Sequence, residues 1–240
     1  MSSQTENIHV RNIELFDDLI SLCADFGTSY NPQRTNLTIQ MLFTQLARAN
    51  AVLREATFAK EVYDQALRER ELTLRKLKCV TPKILDFLSI TSVLSKTRLR
   101  AGQLNGRMLG RRRRKDATVN AKVLQRPMSQ KSINKVLGYF AQLVTQLGHE
   151  RQYQPVEPEL QRDALMTLLI ELQAKNTAVV NTYTTLSNVR AIRDRLLYAQ
   201  FFGIIDVVVA VKQYVKSVYG AESQYFKKLN AFRFQRTRGK

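Results

Sequence analysis

Apolar residues recur along most of the chain at intervals of three and four, the period of an amphipathic α-helix. In the first half this pattern predicts a helix over residues 11–26, which Gly27 ends. A long helix is predicted over 36–78, where apolar positions keep the same spacing from Leu42 to Ala59. No segment shows the sustained alternation of a half-buried strand. The pattern therefore predicts an all-α protein.

A third helix is predicted over 82–99, because Thr81 and Pro82 are typical of an N-cap and a first helical position. The glycines within 102–110 predict that its end frays. The second half predicts the same plan, with helices at 129–147, 158–198 and 201–218. Aromatic residues of the third helices have core-type spacings, and we expect these five in the core: Phe87, Tyr198, Phe201, Phe202 and Tyr214.

The two halves resemble each other at an offset of roughly 120 residues. The turn Tyr30-Asn-Pro corresponds to Tyr153-Gln-Pro, and each precedes a long helical pattern. Asp86 and Asp206 share a position within apolar helical segments. We interpret these correspondences as an internal duplication with small insertions and deletions.

The predicted fold is an antiparallel helical bundle built from two related three-helix units with long central helices. The first unit occupies residues 1–106 and the second 129–224. A basic linker over 107–128 lies between them, and a basic tail over 225–240 follows. The two units either share one core or form two.

Composition excludes several classes of protein. Hydrophobic residues make up 44% of the 240 positions, which excludes wholesale disorder. Two distant cysteines, Cys23 and Cys79, exclude a disulfide framework and the usual zinc modules. With only two histidines and no glycine-rich phosphate loop, we expect no metal, no cofactor and no enzymatic activity.

The chain also lacks the features of a secreted or membrane-spanning protein. Its first twenty residues have no basic start, apolar middle and cleavage site, so no secretory signal is predicted. The most apolar stretch, 196–211, is short for a bilayer span and includes Gln200 and Asp206. We therefore expect no transmembrane segment and a cytoplasmic location.

Positive charge is concentrated in two segments. The chain has 38 Lys and Arg against 20 Asp and Glu, a formal charge of +18. Residues 98–135 contain 12 basic residues and one acid, or +11, and residues 225–240 contain six and none, or +6. These segments together account for +17 of the +18. A solubilising surface mixes both signs, whereas blocks of like charge are typical of arms that bind a polyanion.

The candidate binding residues come from these two segments. Consecutive guanidinium groups bind phosphates through paired hydrogen bonds, so we expect nucleic-acid contacts from a first group: Arg107, Arg111, Arg112, Arg113, Arg114 and Lys115. A second group lies in the tail: Lys227, Lys228, Arg233, Arg236, Arg238 and Lys240. The run Arg111–Lys115 also has the composition of a nuclear address or of a cationic linker without a dedicated partner.

Aromatic residues alternate with the cations of the tail. These aromatic residues are Tyr225, Phe226, Phe232 and Phe234, and one interpretation is that they stack on unpaired bases. The favoured interpretation is that Tyr225, Phe226 and Phe232 pin the tail to the helical body. Residues 236–240 are expected to be free in both cases. For Asp86 and Asp206, pairing with a neighbouring Arg or exposure to solvent is favoured over a catalytic role.

One segment indicates a relationship to other proteins. The stretch Val211–Phe234, VKQYVKSVYGAESQYFKKLNAFRF, together with the Tyr-x-Pro turns, resembles the C-terminal end of uncharacterised duplicated all-helical proteins of Bacteroidota. This resemblance implies a bacterial, cytoplasmic, two-repeat helical protein, and it implies no activity. In a bacterial protein, the interpretation of the run at 111–115 as a nuclear address falls away.

The sequence therefore leads to one principal hypothesis and one alternative. The principal hypothesis is a non-enzymatic helical protein that binds DNA or RNA through two cationic arms, in a ribosomal or nucleoid context. Its contacts would be to phosphates and largely independent of base sequence, because no recognition helix is evident. The alternative is a structural or scaffolding bundle that forms a homo-oligomer or docks a protein partner. Attachment to anionic lipid through Phe232, Phe234 and the basic tracts is a third interpretation.

Overall fold

In a computed structural model of the chain, residues 3–110 and 130–236 are described. They form seven α-helices and no strand, which confirms the all-α prediction. None of the seven helices combines the length and the apolar character that a bilayer span requires. The helices are α1 (Ser3–Ala24), α2 (Ile39–Ile90), α3 (Ser95–Met108), α4 (Gln130–His149), α5 (Arg162–Tyr198), α6 (Ile204–Tyr219) and α7 (Gln224–Ala231).

The chain divides into two compact units, and each unit combines segments from both halves of the sequence. The first unit contains Met1–Val62 and Tyr183–Lys240, and the second contains Tyr63–Thr182. The helices α2 and α5 therefore each run through both units. The predicted division into 1–106 and 129–224 follows the order of the chain, whereas these units do not.

The long helix α2 continues through the position where sequence predicts a new helix. Pro82 lies inside α2, so the predicted helix start at this residue is wrong. Proline removes one helical hydrogen bond, but Ile84 and Leu88 continue the buried stripe beyond it and are fully buried. The Thr81 hydroxyl donates to the Leu77 carbonyl oxygen at 3.0 Å instead of capping a helix. Tertiary packing thus overrides the local signal.

Within the second unit, α2 and α5 run in opposite directions. Polar pairs follow the two helices in opposite order: the Thr73 hydroxyl donates to Glu171 Oε1 at 3.1 Å, and Glu69 Oε2 pairs with Lys175 Nζ at 2.8 Å. An apolar core beside them is built from all four helical segments of the unit and includes Phe140, which is fully buried. This core fixes α3 against α4.

The first unit has a separate apolar core, in which the central residues are fully buried: Phe16, Leu19, Ile20, Ile204, Val211 and Val215. Beside this core lies a polar cluster that joins α1 to α5. Arg193, only 1% exposed, donates to Glu6 Oε2 at 2.7 Å and to Asp194 Oδ1 at 2.8 Å. His9 Nδ1 lies 2.9 Å from the Tyr198 hydroxyl oxygen. A buried charge requires such partners, because desolvation without them is costly.

The two turns that the sequence pairs have the same local structure. The Tyr30 hydroxyl donates to the Leu37 carbonyl oxygen at 2.8 Å, and the Tyr153 hydroxyl donates to the Leu160 carbonyl oxygen at 2.7 Å. Both acceptors end a short 3₁₀ helix. Burial raises the pKa of both phenols, that of Tyr153 to about 12, so they remain hydrogen-bond donors at neutral pH.

Candidate polyanion-binding surface

The helix α3 presents a row of cations on one face. Its buried residues, Ala101, Leu104, Asn105 and Met108, pack into the core of the second unit. Lys96, Arg100, Gln103 and Arg107 are exposed and recur at intervals of four, three and four, which places them on a common stripe. From Lys96 to Arg107 this stripe is about 16 Å long at 1.5 Å per residue. We call Lys96, Arg100 and Arg107 the α3 cation face.

The α3 cation face has no acidic counterpart nearby in sequence. The 29 residues between Asp86 and Asp116 contain nine Lys and Arg and no Asp or Glu. None of the three cations forms an ion pair with a residue that the structure describes. A stripe of this kind repels itself and gains energy when anions neutralise it.

Contacts to α4 position part of this face. Arg107 lies near the end of α3, and its guanidinium carbon is 5.8 Å from the centre of the Tyr139 ring on α4. This cation–π contact holds the Arg107 side chain against α4. Lys135, one turn before Tyr139 on α4, is exposed, and the first turn of α4 contains no acid. The end of α3 and the start of α4 therefore both present positive charge.

An open groove of about 550 Å³ lies between α3 and α4. Arg100 and Thr97 line it from α3, and Thr145 and His149 line it from α4, together with Glu150. Guanidinium, hydroxyl and imidazole groups can all donate hydrogen bonds to a phosphate. The groove extends the anion-binding capacity of the α3 cation face.

The first predicted group of site residues is only partly covered by the structure. Arg107 lies on α3 and is exposed, as predicted. Arg111, Arg112, Arg113, Arg114 and Lys115 lie outside the described residues. Two residues, Leu109 and Gly110, separate this run from Met108, the last residue of α3.

The tail is held against the first unit. Ser223 caps α7 by accepting a hydrogen bond from the Phe226 amide at 3.1 Å, and Leu229 is fully buried. Lys212 Nζ donates to the Phe232 carbonyl oxygen at 2.7 Å. Burial, with the charge of Arg233, lowers the pKa of Lys212. The tail is thus docked through its backbone as well as its side chains.

The aromatic residues of the tail take part in this docking. Phe226 and Phe232 pack against the core of the first unit, which confirms that they pin the tail, and Phe234 packs there as well. Further along, the Asn12 side chain exchanges two hydrogen bonds with the backbone of Gln235, at 2.7 and 3.0 Å. These rings are therefore partly buried against the folded first unit and do not extend freely into solvent.

The tail cations differ in their surroundings. Lys227, Lys228 and Arg233 are exposed, and Lys227 pairs with Glu222 at 2.9 Å. Arg236 was expected to be free, but it pairs with Asp206 on α6, so that expectation is wrong. The same pair shows that Asp206 has the structural role favoured for it, while Asp86 is exposed. Arg238 and Lys240 lie outside the described residues.

The structure places the predicted site residues in different compact units. Arg107 belongs to the second unit, whereas the four described cations of the tail belong to the first. Lys96 and Arg100 were not among the predicted site residues, although their spacing relative to Arg107 was a usable signal. They were missed because the glycines of 102–110 predicted a frayed end, whereas α3 remains helical to Met108.

Two further aromatic residues contradict the sequence prediction. Phe201 and Phe202 were expected in the core, but they are 73% and 75% exposed in the turn between α5 and α6. Phe201 also has a φ of +66°, in the left-handed region. For a residue with a side chain this conformation costs roughly 1–2 kcal/mol. We call Phe201 and Phe202 the aromatic pair.

Within residues 3–110 and 130–236, no three His, Cys, Asp or Glu side chains are grouped so as to hold a metal ion. No protein-family model matches the chain, and no curated protein or solved structure does either. The function is therefore argued from the charges and the geometry above.

Proposed function

We propose that this protein binds DNA or RNA without catalysing a reaction, through cationic surfaces that contact phosphates largely independently of base sequence. The observation that supports this most strongly is the α3 cation face, three exposed cations on one stripe without an acidic partner in the described part of the chain. The run Arg111–Lys115 directly follows this helix in sequence and adds five charges.

The dimensions of the α3 cation face suit a nucleic-acid backbone. One strand of a duplex carries a negative charge every 3.4 Å along the axis, so a stripe of about 16 Å lies alongside roughly five phosphates. Arg100 and Arg107 have forked donors that match phosphate oxygens, and Lys96 adds a point charge. Bound phosphates would also offset the repulsion between these cations.

The same geometry favours contacts without base readout. Sequence-specific proteins place a helix or ribbon deep in a groove, with side chains that read base edges. The exposed stripe of α3 contains only Gln103 besides its three cations. Phosphate contacts position a protein on nucleic acid but do not discriminate between sequences.

The experiment that tests this proposal is the triple substitution Lys96→Gln, Arg100→Gln and Arg107→Gln. Binding to a duplex DNA and an RNA hairpin is measured at one low salt concentration by fluorescence anisotropy. Loss of three charge-assisted contacts should weaken binding at least about tenfold for both ligands.

The matched control is the triple substitution Arg48→Gln, Arg54→Gln and Arg75→Gln, which removes the same charge from exposed positions of α2. We expect the control to change affinity much less than the α3 variant. Equal losses for both variants would mean that only net charge matters. Absence of binding by the unmodified protein would refute the proposed function.

A second candidate function is docking of a protein partner by a structural bundle. Ile90, Leu94 and Leu99 near the turn between α2 and α3 are 83%, 71% and 65% exposed. Exposed apolar clusters are typical of association surfaces. Sedimentation at high salt separates the two functions, since apolar association persists while phosphate contacts are screened.

We also propose that the chain is a duplication of a helical unit and acts in the cytoplasm. Support for the duplication comes from the matching hydroxyl-to-carbonyl hydrogen bonds of Tyr30 and Tyr153. Arg70 and Arg193, separated by the same 123 residues as these tyrosines, are 3% and 1% exposed. An antiparallel arrangement of two related three-helix units accounts for these correspondences.

A further inference from the structure

The turn between α5 and α6 displays two large aromatic side chains to solvent. Phe201 and Phe202 are 73% and 75% exposed, and exposed Gln200 precedes them. Large aromatic rings contribute most to stability when they are buried. Two adjacent rings left in water therefore call for a functional explanation.

The backbone of this turn is held in an unfavourable conformation. Among the described residues, Phe201 alone has a positive φ without being glycine. After a helix, a residue with this φ is usually glycine or asparagine. A phenylalanine at this position therefore strains the backbone. Strained positions that their surroundings fix are concentrated at functional sites.

Neighbouring contacts fix the turn. The Phe201 amide donates to Asp206 Oδ2 at 2.8 Å, and the Gly203 amide donates to the Ala199 carbonyl oxygen at 2.9 Å. A Cβ at Gly203 would lie 2.6 Å from backbone atoms of Ala199, so only glycine fits there. The aromatic pair is thus presented by a rigid turn.

The carboxylate that fixes the turn also brings a cation to it. Asp206 accepts from the Phe201 amide through one oxygen and pairs with Arg236 through the other. The Arg236 side chain is still 53% exposed. Two hydrogen bonds between the Asn12 side chain and the backbone of Gln235, the residue before Arg236, hold this part of the tail in place. The backbone of the turn that carries the aromatic pair and an exposed guanidinium group are therefore held by one carboxylate.

We propose that the aromatic pair stacks on unpaired bases of single-stranded nucleic acid while Arg236 contacts an adjacent phosphate. This inference rests on the proposed function and narrows it to a substrate class. Aromatic faces combined with cations are the recurrent solution for binding single strands, because every base has a flat face whatever its sequence. Bases inside a duplex are already stacked on each other and offer no such face.

A single tryptophan makes this proposal measurable. The chain contains no Trp, so Phe202→Trp introduces a single tryptophan at the site, and its emission can be excited apart from that of the nine tyrosines. The variant is titrated with an oligothymidylate, with a duplex DNA, and with vesicles of phosphatidylglycerol and phosphatidylcholine. Stacking should quench the emission with the oligothymidylate and leave it nearly unchanged with the duplex. A blue shift with vesicles and no quenching by oligothymidylate would instead assign the aromatic pair to a lipid surface and overturn the proposal.

Affinities of two ring-deletion variants provide the second measurement. Phe201→Gly keeps the positive φ and removes one ring, and Phe202→Ala removes the other. Each should weaken binding to oligothymidylate about 5- to 100-fold and change duplex affinity less than about twofold. The matched control is Phe58→Ala on α2, a phenylalanine that is 67% exposed and should leave both affinities unchanged.

The outcomes separate this inference from the proposed function. If the unmodified protein binds single strands and duplexes but both ring deletions bind oligothymidylate as tightly as it does, the stacking site is wrong and the phosphate surface stands. If the unmodified protein binds neither nucleic acid, the proposed function itself fails. Thermal melting of each variant checks folding, and the fluorescence titration decides the question independently of the deletions.

Discussion

The burial of a single residue, His9, makes the stability of the folded protein depend on pH. Its side chain is 1% exposed, and burial together with the positive charge of Arg193 lowers its pKa below the usual 6.5. The other charged groups that act on it are Asp194 and Glu6, which raise the pKa, and Arg190, which lowers it. The folded protein therefore holds His9 neutral at a pH where the unfolded chain protonates it.

This difference predicts that stability falls on acidification. The contribution of neutral His9 is complete above pH 6.5 and is lost as the pH falls toward the lower pKa of the folded state. Between pH 7.5 and 5.5 the loss should reach up to about 1.4 kcal/mol, measured by denaturant unfolding. His9→Gln should remove this component of the pH dependence.

The matched control is His149→Gln, which replaces the other histidine of the chain at an exposed position. If His9→Gln and the unmodified protein lose stability equally over this range, the burial of neutral His9 is not the cause. Sequence alone did not reveal this site. His9 on α1 contacts Tyr198 on α5, and Arg193 on α5 pairs with Glu6 on α1. Spacing along the chain does not show which helices meet.

Among the helices, α7 determines whether the tail is an arm or part of the body. Leu229 is fully buried in the core of the first unit, and three phenylalanines of the tail pack beside it. Docking fixes the positions of the exposed cations Lys227, Lys228 and Arg233. The tail up to residue 236 is thus a cationic part of the folded surface.

Docking predicts a measurable cost for Leu229→Ala. Removing a fully buried leucine side chain should lower the free energy of unfolding by about 2–5 kcal/mol. Asn230→Ala, at an exposed position of the same helix, should change it by less than about 0.5 kcal/mol. Thermal and denaturant melting measure both. No destabilisation by Leu229→Ala would mean that the tail is free in solution.

Helix periodicity predicted most of the elements, and the misassigned boundaries have physical causes. The long helix α5 was predicted over 158–198 and spans Arg162–Tyr198. The ends of α2 and α3 were missed because Pro82, Gly102 and Gly106 disfavour helix locally, while buried residues on both sides keep the chain helical. In a helix interior a glycine costs about 1 kcal/mol and a proline about 3 kcal/mol. Burial of Ile84 and Leu88 beyond Pro82 together contributes about 3–6 kcal/mol, which offsets the cost of the proline.

At the scale of the whole molecule, charge was predictable and the pairing of segments was not. The two basic segments are evident from the sequence, because the charge of a segment follows from the number of its Lys, Arg, Asp and Glu residues. That α1 packs in one unit with the end of α5 depends on contacts between residues more than 180 positions apart, such as Glu6 and Arg193. The aromatic pair was misplaced for the same reason, since core-type spacing does not show whether a neighbour covers the residue.

The central claim, binding through phosphate contacts, is tested most directly by the salt dependence of affinity. Binding of duplex DNA and of RNA is measured from low to physiological salt for the unmodified protein and for a variant with Arg111, Arg112, Arg113 and Arg114 changed to Gln. The logarithm of the affinity should fall linearly with the logarithm of the salt concentration, by about 0.9 per phosphate contact on duplex DNA. The variant should have a slope smaller by about 3–4 if all four arginines bind phosphates. Binding that does not depend on salt, or a slope that the variant leaves unchanged, would contradict the account.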